Sequence, residues 1–317
     1  MSYTFEQFIR FTTDSVGLER TFRLFQAIAQ ILSSFALPFD LLIYLVGLTA
    51  YGPPSPTATQ FILLALRQRL ALTRRFFRLF RFLESFNGAQ KLYAAVSTPQ
   101  AQREPAKSGW VQSVAWFDIF GRTFNGMYLL LEASTIIDSL QIEGLTLWTP
   151  DWEHRITIEG QRFWLFSLVC GVFSGLLKMI QVLAYTPVPD NAPVTATGES
   201  NSQEKQESVT HPESEKSTQD EKDSKEGWDL KQEQQRLRGI VKGRKQGRVA
   251  WRREIRQKIN KLGRGVIANA LDITLPGSVV GWVRVDTGTV GVATFITTIL
   301  TGMEVWERCG QEVASGS

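Results

Sequence analysis

Two residue types that serve the commonest site chemistries are nearly missing from this chain of 317 residues, which has two cysteines and two histidines. Cys170 lies in an apolar run and Cys309 near the end, with no spacing suited to a disulfide framework or a zinc site, and a reducing compartment fits such usage. His211 sits in a polar block, so a Ser-His-Asp arrangement could rest only on His154, beside a tryptophan-rich loop, where a structural role is the simpler reading. No GxxxxGK[ST] loop exists, and Gly263-x-Gly265 follows no strand pattern, which removes the usual phosphate cradles of nucleotide enzymes. Metal ligands at useful spacing are absent as well. The start, MSYTFEQFIR, lacks the cationic, apolar and small-residue parts of a secretory leader, so secretion is not expected. These absences argue for a protein that is not an enzyme and needs no metal or cofactor.

What is present is apolar and basic sequence diluted by a polar block. Hydrophobic residues make up 43% of the chain, yet mean hydropathy is only −0.09. Removing Thr186 to Gly227, rich in Pro, Ser, Thr, Glu, Lys and Gln, leaves a remainder that looks membrane-associated. That block reads as a disordered linker. Net charge is +4 with an isoelectric point near 9.1, and cations cluster around Arg67 to Arg103 and Arg236 to Arg264. Both clusters suit a polyanionic surface.

Residues 60–86 hold the sharpest pattern. At about 100° per residue, Arg67, Arg74, Arg78, Arg81 and Ser85 share one narrow face of a continuous helix, while Leu72, Phe76, Leu79, Phe80, Leu83 and Phe86 share the other. Two readings are open: a helix lying in a membrane interface, with guanidinium groups on lipid phosphates and rings among acyl chains, or a bundle helix with a solvated basic face.

Around this segment the chain reads as helices. Thr4 and Gln7 have capping-box spacing for a first short helix, which Asp14 and Gly17 interrupt. A second, over 18–35, carries Phe22, Phe25, Ala29, Leu32 and Ala36 on its apolar stripe and Arg20, Arg23 and Gln26 off it. Residues 37–50 read as a buried or half-inserted helix, and Pro53, Pro54 and Pro56 close it. From Trp110 to Asp138, Val114, Phe117, Phe124, Tyr128 and Leu131 recur at helical spacing, with Asp118 and Arg122 placed to pair at i,i+4.

Two stretches are apolar enough to enter a bilayer. Residues 163–184, about 22 in number, are long enough to span, with Lys178 near the end able to snorkel and Gly171 and Gly175 forming a small-xxx-small pair. Residues 287–303, about 17, sit at the lower limit, and Thr294, Thr298 and Gly302 repeat every four residues as a second packing seam. Between them, Trp251, Ile255, Ile259 and Leu262 draw one apolar seam through a basic surface that includes Arg252, Arg253 and Arg256, again suggesting an interfacial helix with a nucleic-acid helix as rival. The apolar anchors and neighbouring hydrophobic segments favour lipid, so nucleic acid is not expected as a partner. Val266 to Leu275 continues helically, and Pro276-Gly277 is expected to break it.

Three stretches together resemble the peroxin-eleven family of peroxisomal membrane proteins, in its fungal branch. DSVGLERTFRLFQ (Asp14 to Gln26) is similar to that family's acidic start and R-L-x-Q helix, although the family's Asp-Gly pair is split here. LTRRFFRLFRF (Leu72 to Phe82) resembles its basic amphipathic segment, and NALDITLPG (Asn269 to Gly277), followed by a glycine-rich apolar run and Trp306, resembles its terminal membrane segment. The resemblance implies a non-enzymatic protein of the peroxisomal membrane that elongates the organelle before fission. It also implies self-association, an anionic phospholipid surface as partner, and recruitment of a fission adaptor and a dynamin-like GTPase. Some members of that family are proposed to form metabolite pores, and a tether or adaptor is a further alternative.

The expected architecture is all-α: a membrane-associated helical bundle with amphipathic helices, one or two membrane-inserted helices and a long disordered linker. Its regions are 1–105, containing the remodelling helix 60–86; 106–185, ending in the segment 163–184; the linker 186–227; and 228–317, joining the basic helix to the segment 287–303.

Overall fold

The computed structural model describes residues 3–49, 55–98, 109–186 and 222–316. Every regular element among them is helical: α1 (Tyr3–Thr13), α2 (Ser15–Ser34), α3 (Ala36–Thr49), α4 (Pro56–Phe77), α5 (Arg81–Ser97), α6 (Gly109–Ser134), α7 (Ile136–Ser139), α8 (Pro150–Tyr185), α9 (Lys222–Asp272), α10 (Thr274–Val280) and α11 (Thr287–Gly316). The fold is therefore an all-α bundle, as the periodicity predicts. The expected linker lies mostly outside the described residues, but residues 222–227, assigned to it, form the first turns of α9.

Helix boundaries follow local chemistry at some corners and depart from it at others. Asp14 caps α2 by accepting from the Gly17 amide at 3.2 Å. A side chain at Gly17 would run into the Phe11 carbonyl, so its lack of a Cβ lets α1 and α2 meet closely. Pro56 opens α4 at the first helical position, where its missing amide hydrogen costs nothing. Thr4 lies inside α1, and the Gln7 amide nitrogen donates to the Trp306 carbonyl at 2.8 Å, tying α1 to α11. Pro276 and Gly277 lie inside α10 rather than breaking a helix; the interruption falls one turn earlier, at Ile273, and α10 ends at Gly281, which has a φ of +83°.

Two compact units are present, one comprising residues 1–182 and 259–317 and the other residues 183–258. In the first, α1 and α4 lie against α2, whose other side meets α11; α5 packs on α6, and α6 on α8. The second is carried by the basic part of α9, in which Arg252, Arg253 and Arg256 are exposed and Trp251 and Ile255 half-buried.

In the first unit polar and ionisable groups share the interior with apolar side chains such as Ile119, Leu129 and Leu165, while many large apolar groups lie outside. The largest side chains wholly withdrawn from the surface are Thr297, Pro276 and Cys309, whereas Leu37, Phe61 and Phe80 are 79%, 74% and 71% exposed. Glu19, Arg23, Gln30, Asp272 and Thr298 are buried. Water would not stabilise such an outside, but acyl chains would, and ionisable groups in membrane proteins face the bundle interior.

Two helices are long and apolar enough to cross a bilayer, Pro150–Ala184 within α8 and Thr287–Ser315 within α11. A third crossing arises if α2 and α3, bent by 100° at Phe35, act as one broken span. Of the apolar window in α8, 17% is buried inside the protein against 44% in α11, so α8 presents the larger free apolar surface. The expected segment 287–303 is also extended by thirteen residues, to Gly316, which removes its shortage of length.

Candidate functional site

Residues 60–86 do not form one helix. Arg78, Leu79 and Phe80 make a turn between α4 and α5, with the Arg78, Leu79 and Arg81 amides each donating to a carbonyl three residues back. The basic face is not solvated. Arg74 donates to Glu19 at 3.0 Å and to Gln26 at 2.6 Å. Arg78 donates to Glu132 at 2.8 Å and to the Tyr128 hydroxyl at 3.3 Å. Both partners stand on other helices, α2 and α6, so the turn lets consecutive parts of one basic segment reach different carboxylates. Arg67 and Arg81 are half-buried, and the ion-pair partner of Arg81 among the described residues is Glu84, at 4.0 Å.

With the cations turned inward, part of the apolar face is turned out. Phe76, Phe80 and Leu83 are exposed, while Leu72, Leu79 and Phe86 are half-buried, the Phe86 ring lying against Gly126. Helix α2 is inverted in the same way. Phe25 is exposed and Arg23 buried, the reverse of the apolar-stripe expectation, although Phe22 does stack on Phe77 at 5.6 Å. Arg23 meets Asp272 at 2.5 Å, and Thr297 donates to the same carboxylate at 2.6 Å, which joins α2, α9 and α11 through one buried group.

Further pairings replace the expected ones. Asp118 does not pair with Arg122 but with Lys178 of α8, at 2.7 Å, and also accepts from Ser174. Lys178 is thus a bundle contact rather than a headgroup anchor. Gly171 and Gly175 do serve close approach, since a Cβ on either would collide with Asn269 or Val266 of α9. Thr294 and Thr298 are buried, their hydroxyls donating to the carbonyls of Val290 and Thr294, whereas Gly302 has open space around it. Gly171, Gly175, Thr294 and Thr298 are therefore engaged within a single chain, and Gly302 is not. Among the described residues no cluster of metal-ligating side chains occurs.

At the centre of the first unit the polar groups enclose a cavity of about 480 Å³. Arg20, Arg23, Arg74, Arg78, Arg81 and Arg122 line it with four carboxylates, Glu19, Glu84, Asp118 and Asp272. The crowding is felt electrostatically. Burial, with Arg78 alongside, pulls the Arg74 guanidinium down to about 10. Burial also disfavours charge on Arg78, but Glu132, Tyr128 and Glu19 together outweigh it and the net shift is upward. Burial lifts the Tyr128 phenol to about 12, keeping it a neutral donor to Glu132. The inward network is hidden from sequence because its partners lie 54, 55 and 249 residues apart; the local signal is that Glu19 and Glu132 interrupt segments that otherwise read as apolar or basic.

An apolar exterior, long hydrophobic helices and a buried ionic interior define a membrane-embedded helical bundle protein. Its family is shown by comparison: residues 39–306 match the model of peroxisomal biogenesis factor 11 (PEX11), and the chain belongs to that family. It is accordingly a peroxisomal membrane protein with a role in peroxisome biogenesis and proliferation, in a family not known for enzymes. No curated protein and no solved structure matches it. The matched range contains Leu72–Phe82 and Asn269–Gly277 but not Asp14–Gln26.

Proposed function

We propose that this chain remodels and elongates the peroxisomal membrane as a non-enzymatic wedge, with Phe76, Phe80 and Leu83 set into one leaflet. The observation behind this reading is their joint exposure beside Arg74 and Arg78, whose charges are bound internally. Each large apolar side chain moved from water into lipid contributes about 1.5–3 kcal/mol. A wedge confined to one leaflet expands that leaflet and favours curvature. In this arrangement anchoring comes from the rings, and attraction to anionic lipid comes from cations elsewhere, notably Arg252, Arg253 and Arg256. Self-association would multiply the effect on an elongating tubule, and an adaptor with a dynamin-like GTPase would complete fission.

The test is reconstitution of the full chain into liposomes containing anionic lipid. Phe76→Ser, Phe80→Ser and Leu83→Ser together should abolish tubulation while leaving the protein resistant to carbonate extraction, because α8 and α11 remain. Tubules of unchanged number and length from the triple variant would refute the wedge.

A further inference from the structure

The central cavity has more cation than its own carboxylates neutralise. Its acids are already engaged: Asp272 with Arg23 and Thr297, Glu19 with Arg74, Asp118 with Lys178 and Ser174, and the exposed Glu84 with Arg81 at 4.0 Å. Arg20 is left with Glu19 at 3.6 Å, and its Nε is buried without a hydrogen-bond partner. The Nε of Arg78 is likewise buried and unpartnered, its two other nitrogens being used on Tyr128 and Glu132. Arg122, lying against Gly88, makes no hydrogen bond or ion pair among the described residues. Buried donors without acceptors are costly, and a desolvated guanidinium more so.

We propose that the cavity is a binding site for a phosphate group, held by Arg20, Arg78 and Arg122. Three guanidiniums from α2, the α4–α5 turn and α6 border one space, and guanidinium forks match phosphate oxygens better than an ammonium does. Ser85 accepts from Asn125 at 2.8 Å and retains its own hydroxyl hydrogen for a further acceptor. The volume exceeds that of a bare phosphate and falls in the range of small-molecule sites, so the group is carried by a larger body. Of the residues that line it, Glu84 and Arg122 are exposed and Arg23 is buried. The same chemistry is offered by a phospholipid headgroup entering from the bilayer and by a soluble phosphate compound.

The experiment uses the full chain in micelles of a maltoside detergent, which carries no phosphate, titrated with inorganic phosphate in one arm and short-chain phosphatidic acid in the other, reading thermal unfolding. A saturable rise in Tm is expected in at least one arm; a response to inorganic phosphate assigns a soluble source, and a response to phosphatidic acid only assigns the lipid headgroup. Arg20→Gln should weaken the response at least tenfold and Arg122→Gln several-fold, whereas joint replacement of Arg252, Arg253 and Arg256 by Gln should leave it unchanged. If Arg20→Gln fails to fold, Arg122→Gln decides, since its side chain has no partner to lose. No response in either arm overturns the proposal, as does a response that survives Arg122→Gln or vanishes with the α9 variant.

Discussion

The two arginine-rich regions of the chain put the same residue type to opposite uses. In α4 and the turn after it, Arg74 and Arg78 are withdrawn from the surface and joined to Glu19 and Glu132. In α9, Arg252, Arg253 and Arg256 are exposed. Sequence density of arginine does not separate them; the availability of a carboxylate on a facing helix does. A cation that finds such a partner becomes part of the packing, insensitive to salt, whereas a free one acts at long range and is screened beyond about 8–10 Å at ordinary ionic strength.

The largest expected effect comes from treating the first set as though it were the second. Arg74→Glu with Arg78→Glu would place new carboxylates beside Glu19 and Glu132, leaving Arg20 at 3.6 Å and Arg75 at 3.8 Å to offset four carboxylates. Expression of the double variant should yield no monodisperse protein in detergent, and salt should not rescue it. A well-folded double variant with reduced vesicle binding would show that these arginines serve lipid after all.

Next in size is the single buried pair Arg23–Asp272. Removing one partner of a buried ion pair leaves an uncompensated charge and typically costs about 3–5 kcal/mol. Asp272→Ala should therefore lower thermal stability in micelles strongly, because Arg23 loses its carboxylate and keeps only the Thr297 hydroxyl at 3.2 Å as acceptor among the described residues. Arg23→Met with Asp272→Leu should recover most of that loss, which distinguishes an unpaired charge from a packing defect.

How far these arrangements can be read from sequence depends on which side of a helix the reader takes to be outside. The 3.6-residue period of α2, α4 and α6 is plain, and so are the apolar lengths of α8 and α11. Periodicity separates two faces but does not say which meets the surroundings, and that is decided by whether the surroundings are water or acyl chain. Phe25 and Phe80 on the surface and Arg23 beneath it follow from the second case. The turn at Arg78–Phe80 carries no glycine or proline, so nothing local marks it; it arises because Arg74 and Arg78 pair with helices at different positions around the bundle. Pro276 misleads in the other direction, since a proline is tolerated in the first turn of a new helix, where α10 places it.

A smaller effect is expected at the α8–α9 contact. A side chain on Gly175 must displace Val266, and overpacking of this kind costs about 1–3 kcal/mol. Gly175→Leu should lower Tm in micelles, whereas Gly302→Leu, facing open space, should leave it nearly unchanged. Equal losses from the two would place the seams against something other than this chain's own helices.

The smallest effect on stability, and the clearest contrast with Arg74 and Arg78, belongs to α9. Replacing Arg252, Arg253 and Arg256 by Gln should leave thermal unfolding within experimental scatter, because none of these exposed cations holds a buried carboxylate. Each one near an anionic surface contributes about 1 kcal/mol of attraction. Fragment 228–264 should accordingly bind phosphatidylserine vesicles with an affinity that falls steeply as salt rises, and the triple variant should flatten that slope. Because the apolar seam of Trp251, Ile255 and Ile259 is untouched by salt, the residual binding of the variant measures how much of the attachment is hydrophobic. A triple variant with an unaltered slope would mean that α9 contacts lipid through that seam alone, and the division of the two arginine sets into internal and membrane-facing cations would fail at its second half.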